Sequence, residues 1–178
     1  MYVVILAYAD RTYLPQFLRT VLATKYENFT VWVIDNGSPS PLRPFLEERY
    51  REAIQAGQLR LLRYEENMGY AGGYQRFFEE HGTEVPYLAL LNSDVEVTPD
   101  WLSPLIRRLE AEPKLAAIQP KIRSHYQREY FEYAGGPGGC WTRGGIPPVG
   151  GVGAFPWSEM KASTTTLSPS SGPVGRPL

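Results

Sequence analysis

The chain predicts an α/β fold, a mainly parallel sheet with helices on both faces, and three observations lead there. Short continuous apolar runs recur along it, and a run without polar alternation is a strand buried on both sides. Between those runs lie apolar residues at helical spacing, so each strand is joined to the next by a crossover. The third observation is a break in composition: residues 1 to 134 contain 15 Gly plus Pro, whereas the 44 residues from Gly135 to Leu178 contain 18 and one acidic residue, Glu159. Hydrophobic periodicity ends near Tyr133, so the core comes from the first part.

Taken in order, Tyr2-Val3-Val4-Ile5-Leu6 is the first strand. Leu14, Phe17, Leu18, Val21 and Leu22 fall at i, i+3, i+4, i+7 and i+8, one stripe of an amphipathic helix that tolerates Pro15 in its first turn. Thr30 to Ile34 is the second strand. A helix around Leu42 to Ile54 leads to a third strand at Leu59 to Arg63, a helix follows Gly73, and Tyr87 to Leu91 is the fourth strand. Thr98 reads as the N-cap, and Pro99 as the first residue, of a helix carrying Trp101, Leu102, Leu105, Ile106 and Leu109 on one face. Leu115 to Gln119 is expected to add a strand. The expected organisation is one domain over residues 1–139 and an irregular tail over 140–178.

Open parallel sheets bind ligands beyond the carboxyl ends of their strands, which directs attention to the polar residues there. The first strand ends in Ala7-Tyr8-Ala9-Asp10, an aromatic to cover a base and a carboxylate to take a hydroxyl; the alternative for Asp10 is a helix N-cap. The second ends in Asp35-Asn36-Gly37-Ser38, where Asp35 is either an ionised acceptor for a nucleoside or part of a plain turn. The third is followed by Asn67-Met68-Gly69-Tyr70-Ala71-Gly72-Gly73. Glycines before a helix start let backbone N–H groups approach an anion, and the helix dipole favours a phosphate there. The spacing is neither a dinucleotide fingerprint nor a P-loop, which disfavours a nicotinamide oxidoreductase. The fourth strand ends in Asn92-Ser93-Asp94. An acid leaving a buried strand suits Mg²⁺ or Mn²⁺ held against a diphosphate, since hard cations take carboxylate oxygen; the alternative is an Asx-turn leading to Thr98.

Composition narrows the classes. A net charge of −1 gives no electrostatic reason to expect nucleic acid. The single cysteine, Cys140, excludes a disulfide scaffold or thiolate zinc site, and two histidines, His81 and His125, leave little room for histidine metal chemistry. No apolar run approaches the roughly 20 residues of a transmembrane helix. Met1 leads directly into an apolar strand without the basic start of a signal peptide, so the expected location is cytoplasmic; Arg107-Arg108 reads as a polar helix face, the alternative being peripheral contact with the inner membrane face.

Val3-Val4-Ile5-Leu6 with Tyr8, then Val33 to Ser38, then Glu66 to Gly73, then Leu90 to Val95, in this order, resemble the family 2 inverting glycosyltransferases of the GT-A fold. Pro99-Asp100-Trp101-Leu102 and Gln119-Pro120-Lys121-Ile122 resemble the same family, and Phe131 to Gly135 a rhamnosyltransferase-like subgroup. The resemblance covers residues 1 to 139. It implies transfer of a sugar from a UDP- or dTDP-linked donor to a glycan or lipid-linked acceptor in cell-surface polysaccharide synthesis. It places Ala7, Tyr8, Asp10, Asp35, Asn36, Asn67, Gly69, Gly72, Gly73, Asn92 and Ser93 at the nucleotide sugar. Asn92-Ser93-Asp94 stands for the family's Asp-x-Asp motif, with Asp94 the metal ligand.

The chain departs from that pattern at Ala7-Tyr8-Ala9-Asp10 and Tyr74-Gln75, where many relatives carry Asn-Tyr-Asn-Gly and Asn-Asn, and above all at its end. The family's second half supplies the acceptor site and an Asp or Glu general base, and no such segment follows Gly139. Loss of a base costs about 10²–10⁴-fold in rate, so the alternative function is an inactive nucleotide-sugar-binding remnant. The tail carries its own expectation. Read in a shifted frame, Glu159 to Gly175 permits Gly-Gln-Tyr-Asp-Asp and Val-Phe-Trp-Ala-Ser-Gly, which the subgroup's members carry. A frame slip near Gly138-Gly139 is therefore expected, with the residues from Cys140 onward out of frame; the alternative is a natural disordered tail. Sequencing the coding DNA decides this, since stops in the other frame end the idea.

Overall fold

The computed structural model of the chain describes residues 1–120 and 122–133, so the expected boundary at 139 and the tail from Cys140 lie outside the described residues. Two units are distinguished, Met1–Ser103 and Pro104–Leu178. The first holds four strands, β1 (Tyr2–Ala7), β2 (Thr30–Asn36), β3 (Leu59–Tyr64) and β4 (Leu88–Asn92). All pair in parallel, in the order β3-β2-β1-β4. The expected α/β architecture with helices on both faces is the one found. Its cause is visible in β1 and β2, whose interior residues are buried on alternating sides without a polar interruption before Asp35.

One face is filled by Val4, Trp32, Ile34 and Tyr64 together with Tyr74 and Phe77 of α4 (Gly69–His81). Gly73 lets that helix approach closely: a Cβ there would stand 2.7 Å from Leu6 Cδ1. At the helix's other end the His81 ring stacks on Trp32, 4.9 Å between centroids. Residues of the opposite parity, Val3, Ile5, Val31 and Val33, are equally buried, as are Leu14, Phe17, Leu18 and Val21 of α1 (Leu14–Leu22). Burial of such side chains stabilises by roughly 1.5–3 kcal/mol each.

Several expected boundaries are corrected. The helix expected over Leu42 to Ile54 is two, α2 (Arg43–Arg49) and α3 (Arg51–Gln55). Tyr50 separates them at φ −124°, and its hydroxyl donates to the Pro15 carbonyl. The helix expected after Gly73 starts earlier, at Gly69. The one expected to start at Pro99 is α5 (Leu102–Ala111). Its earlier start is prevented because the Pro99 carbonyl accepts from Lys25 N at 2.8 Å, and Trp101 N closes a turn on the Thr98 carbonyl.

The second unit's described part contains most of α5 and a small antiparallel pair, β5 (Ile122–Arg123) with β6 (Phe131–Tyr133). Leu115 to Gln119 is not a strand. It runs partly to fully exposed without a ladder partner among the described residues, and Leu115 N closes a turn on Glu112. Among the described residues no helix is long and apolar enough to cross a membrane.

Candidate functional site

The parallel register gathers the strand ends on one edge. Ala7 lies opposite Asp35, Leu6 opposite Asn92, and Asn36 opposite Tyr64. Asp35 and the Asn92–Asp94 turn therefore share a rim, on strands two spacings or about 10 Å apart.

Asp35 does not present the free acceptor expected of it. The residue is 4% exposed; Oδ1 accepts from Ser38 N at 3.0 Å, and Oδ2 accepts from Leu42 N at 3.0 Å and Arg63 Nη1 at 2.6 Å. Burial works to raise its pKa, but hydrogen bonds from the Ser38 side chain, Leu42 N–H, Ser38 N–H and Arg63 outweigh it and hold the carboxyl below its usual range. Arg63 also donates to the Ser38 carbonyl at 3.1 Å. Asp35 thus ties the turn after β2 to the start of α2 and to β3.

Asn36, also buried, ties the same turn to the glycine loop. Its Nδ2 donates to Asn67 Oδ1 at 3.0 Å and to the Gly69 carbonyl at 3.1 Å, and its Oδ1 accepts from Met68 N at 3.3 Å. Gly37, at φ +71°, lies under the loop: a Cβ there would stand 2.5 Å from Asn67 N and Glu66 C. Only glycine allows that approach.

At the end of β1, Ala7 is buried and Tyr8 is 50% exposed. Ala9 is turned to φ +52°, with its N–H donating to Ser38 Oγ at 2.8 Å. Asp10 is not the N-cap of α1, a place held by Tyr13; its oxygens accept from Thr12, Tyr13 and Leu14 N–H at 3.2, 2.8 and 3.2 Å, so the carboxylate is engaged by the backbone leading into that helix.

The glycine loop divides by position. Gly69 sits at φ +69° with open space where a Cβ would go, and its N–H donates to Asn67 Oδ1 at 2.9 Å. Gly72 faces Met68 Cβ, and Gly73 is occupied with packing on Leu6, away from a ligand role. The first-turn N–H groups of a helix have no intrahelical partners. Asn36 and Asn67 take those of Met68 and Gly69, which among the described residues leaves those of Tyr70 and Ala71. The Tyr70 ring beside them is 62% exposed.

At the end of β4 the situation is open. Asn92 and Asp94 are exposed and Ser93 half-buried, with Ser93 and Asp94 in a turn. Among the described residues no group of three His, Cys, Asp or Glu side chains is gathered to hold a metal ion. The donor set of one exposed carboxylate beside an amide and a hydroxyl still fits Mg²⁺ or Mn²⁺. These ions keep several waters and bind through one or two carboxylates plus phosphate oxygens.

Three contributors lay outside the expected set: Gly37, Arg63 and Tyr74. Arg63 has a signal in the parallel order, since it stands directly opposite Asp35 on the neighbouring strand.

Residues 2–143 match the family described as Glycosyl transferase family 2. No curated protein matches the chain. Among solved structures, the mannosyltransferase PcManGT from Pyrobaculum calidifontis, in complex with GDP-Man and Mn²⁺, is 19% identical with a TM-score of 0.57, over 68% of this chain and 35% of that one. TarS 1-349 of S. aureus, in complex with UDP-GlcNAc, is 15% identical with a TM-score of 0.52, over 70% and 38%. At these identities the likeness is one of fold. This chain spans well under half the length of either structure.

Proposed function

The chain belongs to glycosyl transferase family 2, and on that premise we propose that it is the donor-binding part of an enzyme that transfers a sugar from a nucleoside diphosphate. The reading rests on one observation: the first-turn N–H groups of Tyr70 and Ala71, unpaired among the described residues, and the exposed carboxylate of Asp94 belong to the start of α4 and the turn after β4, which share one rim of the sheet. The N–H pair and the helix dipole take the diphosphate, Tyr8 covers the base, and Asp94, with Asn92 and Ser93 beside it, holds Mg²⁺ or Mn²⁺. When bound, a divalent ion offsets charge developing on the departing nucleoside diphosphate. Asp35 and Asn36 act beneath the nucleotide, as the frame that keeps the loop in place.

The donor is UDP- or dTDP-linked and, on the residues around Phe131, of the rhamnose type. The acceptor is a glycan or lipid-linked chain of the cell surface, met in the cytoplasm. Acceptor binding and the general base belong to the whole enzyme, and this chain's own share is capture of the donor.

Calorimetry of UDP and dTDP with and without Mn²⁺ tests the reading. Mn²⁺ is expected to tighten binding roughly ten-fold or more in the native chain, and not at all in Asp94→Ala. Equal enhancement in the variant removes Asp94 from the metal site, and no binding of either nucleotide overturns the reading.

A further inference from the structure

Tyr74 sits one turn into α4, 6% exposed, and its hydroxyl is not idle. It accepts from Leu6 N at 3.3 Å and donates to the Leu91 carbonyl at 2.6 Å. In the parallel register Ile5 pairs with Leu91 and Leu6 with Asn92, so the two backbone groups belong to the seam between β1 and β4, just before the turn that carries Asp94. The hydroxyl's single proton and its lone pairs serve both strands at once.

The place matters because, among the described residues, β4 is paired on one side only, and a strand end with few neighbours is weakly restrained. The Tyr70 ring, exposed in the first turn of α4, packs edge-on against the Tyr74 ring, 5.0 Å between centroids. The phenol stays protonated, since burial pushes its pKa well above the usual range; the bond to Leu91 is therefore present across ordinary pH.

We propose that the Tyr74 hydroxyl is a positioning group: it clasps the end of β4 to β1 and α4, and thereby sets where the Asn92–Asp94 turn stands relative to the first-turn donors of α4. The assignment rests on the donor-site reading for its purpose, and on the two hydrogen bonds for its existence. Its consequence is coupling: nucleotide held at α4 and cation held at Asp94 strengthen each other through one side chain.

Tyr74→Phe keeps the ring and removes the clasp. Amide hydrogen exchange of the ligand-free full chain is expected to speed about ten-fold at Leu6 and across Asn92–Asp94, with Val33 and Leu61 unchanged. Tyr70→Phe, which leaves the seam intact, is expected to change neither. In calorimetry, the Mn²⁺ enhancement of UDP binding falls to about three-fold or less in Tyr74→Phe, while affinity without metal is retained. A rise in exchange spread evenly over all four strands, unchanged exchange at Asn92–Asp94, or an affinity loss that is the same with and without Mn²⁺ makes Tyr74 an ordinary core residue and overturns the proposal. If the native chain shows no Mn²⁺ enhancement, the donor-site reading fails, and the exchange pattern alone then upholds or overturns the clasp.

Discussion

The ends of β2 and β4 read alike in sequence, an acid leaving a buried strand for a turn, yet they do opposite things. Asp35 is sealed and gives both oxygens to Ser38, Leu42 and Arg63. Asp94 is exposed and, among the described residues, carries no hydrogen bond or ion pair. The difference is one of position in the sheet: β2 has strands on both sides and an arginine in register beside its acid, whereas among the described residues β4 has β1 alone. A carboxylate with donors already arranged around it is structural; one left to water is available to a ligand.

The sharpest way to break the contrast is to spoil the packing beneath the loop. Gly37→Ala must hold a left-handed φ and push a Cβ against the backbone of Glu66 and Asn67, and is expected to cost about 4 kcal/mol in urea unfolding. Asp35→Ala strands the Ser38 and Leu42 N–H groups and the Arg63 charge, with an expected loss of about 3 kcal/mol in the same measurement.

Acid titration separates the two carboxylates as well. The folded pKa of Asp35 is depressed, so its stabilisation is fully present above the unfolded value and is lost as pH falls below about 4 through the folded value. In thermal melts from pH 6 to 2, Asp35→Asn is expected to flatten that slope relative to the native chain; an unchanged slope assigns the acid sensitivity to other carboxylates. At the other end of the scale, Asp94→Ala is expected to alter unfolding free energy by no more than about 0.5 kcal/mol. A larger loss would show a structural role for the second acid as well.

β1 and β2 were legible because their apolar runs are uniform enough to be two-sided strands, and the α1 stripe because Leu14, Phe17, Leu18 and Val21 keep helical spacing; β4, read from its apolar run as buried too, is only partly covered among the described residues, with Leu90 half-exposed. What was not legible depended on long-range partners. Nothing near Tyr50 announces that its hydroxyl reaches Pro15 and interrupts a helix, and nothing near Pro99 announces that Lys25 takes its carbonyl. The apolar pattern at Leu115 to Gln119 is real, but a strand needs a neighbour as well as a pattern. In the site, the strand ends were readable one by one. Which carboxylate would be consumed was not, because Arg63 becomes a partner of Asp35 only once β3 is placed beside β2.

The seating of α4 has a thermodynamic consequence. Gly73 presses the helix onto Leu6 near one end, the His81 ring lies on Trp32 at the other, and Asn36 holds the approach to its first turn. Whatever anion settles against Tyr70 and Ala71 meets donors that already stand still. Little conformational freedom of the protein is lost on docking, so discrimination among anions there falls to their shape and the cost of stripping their hydration.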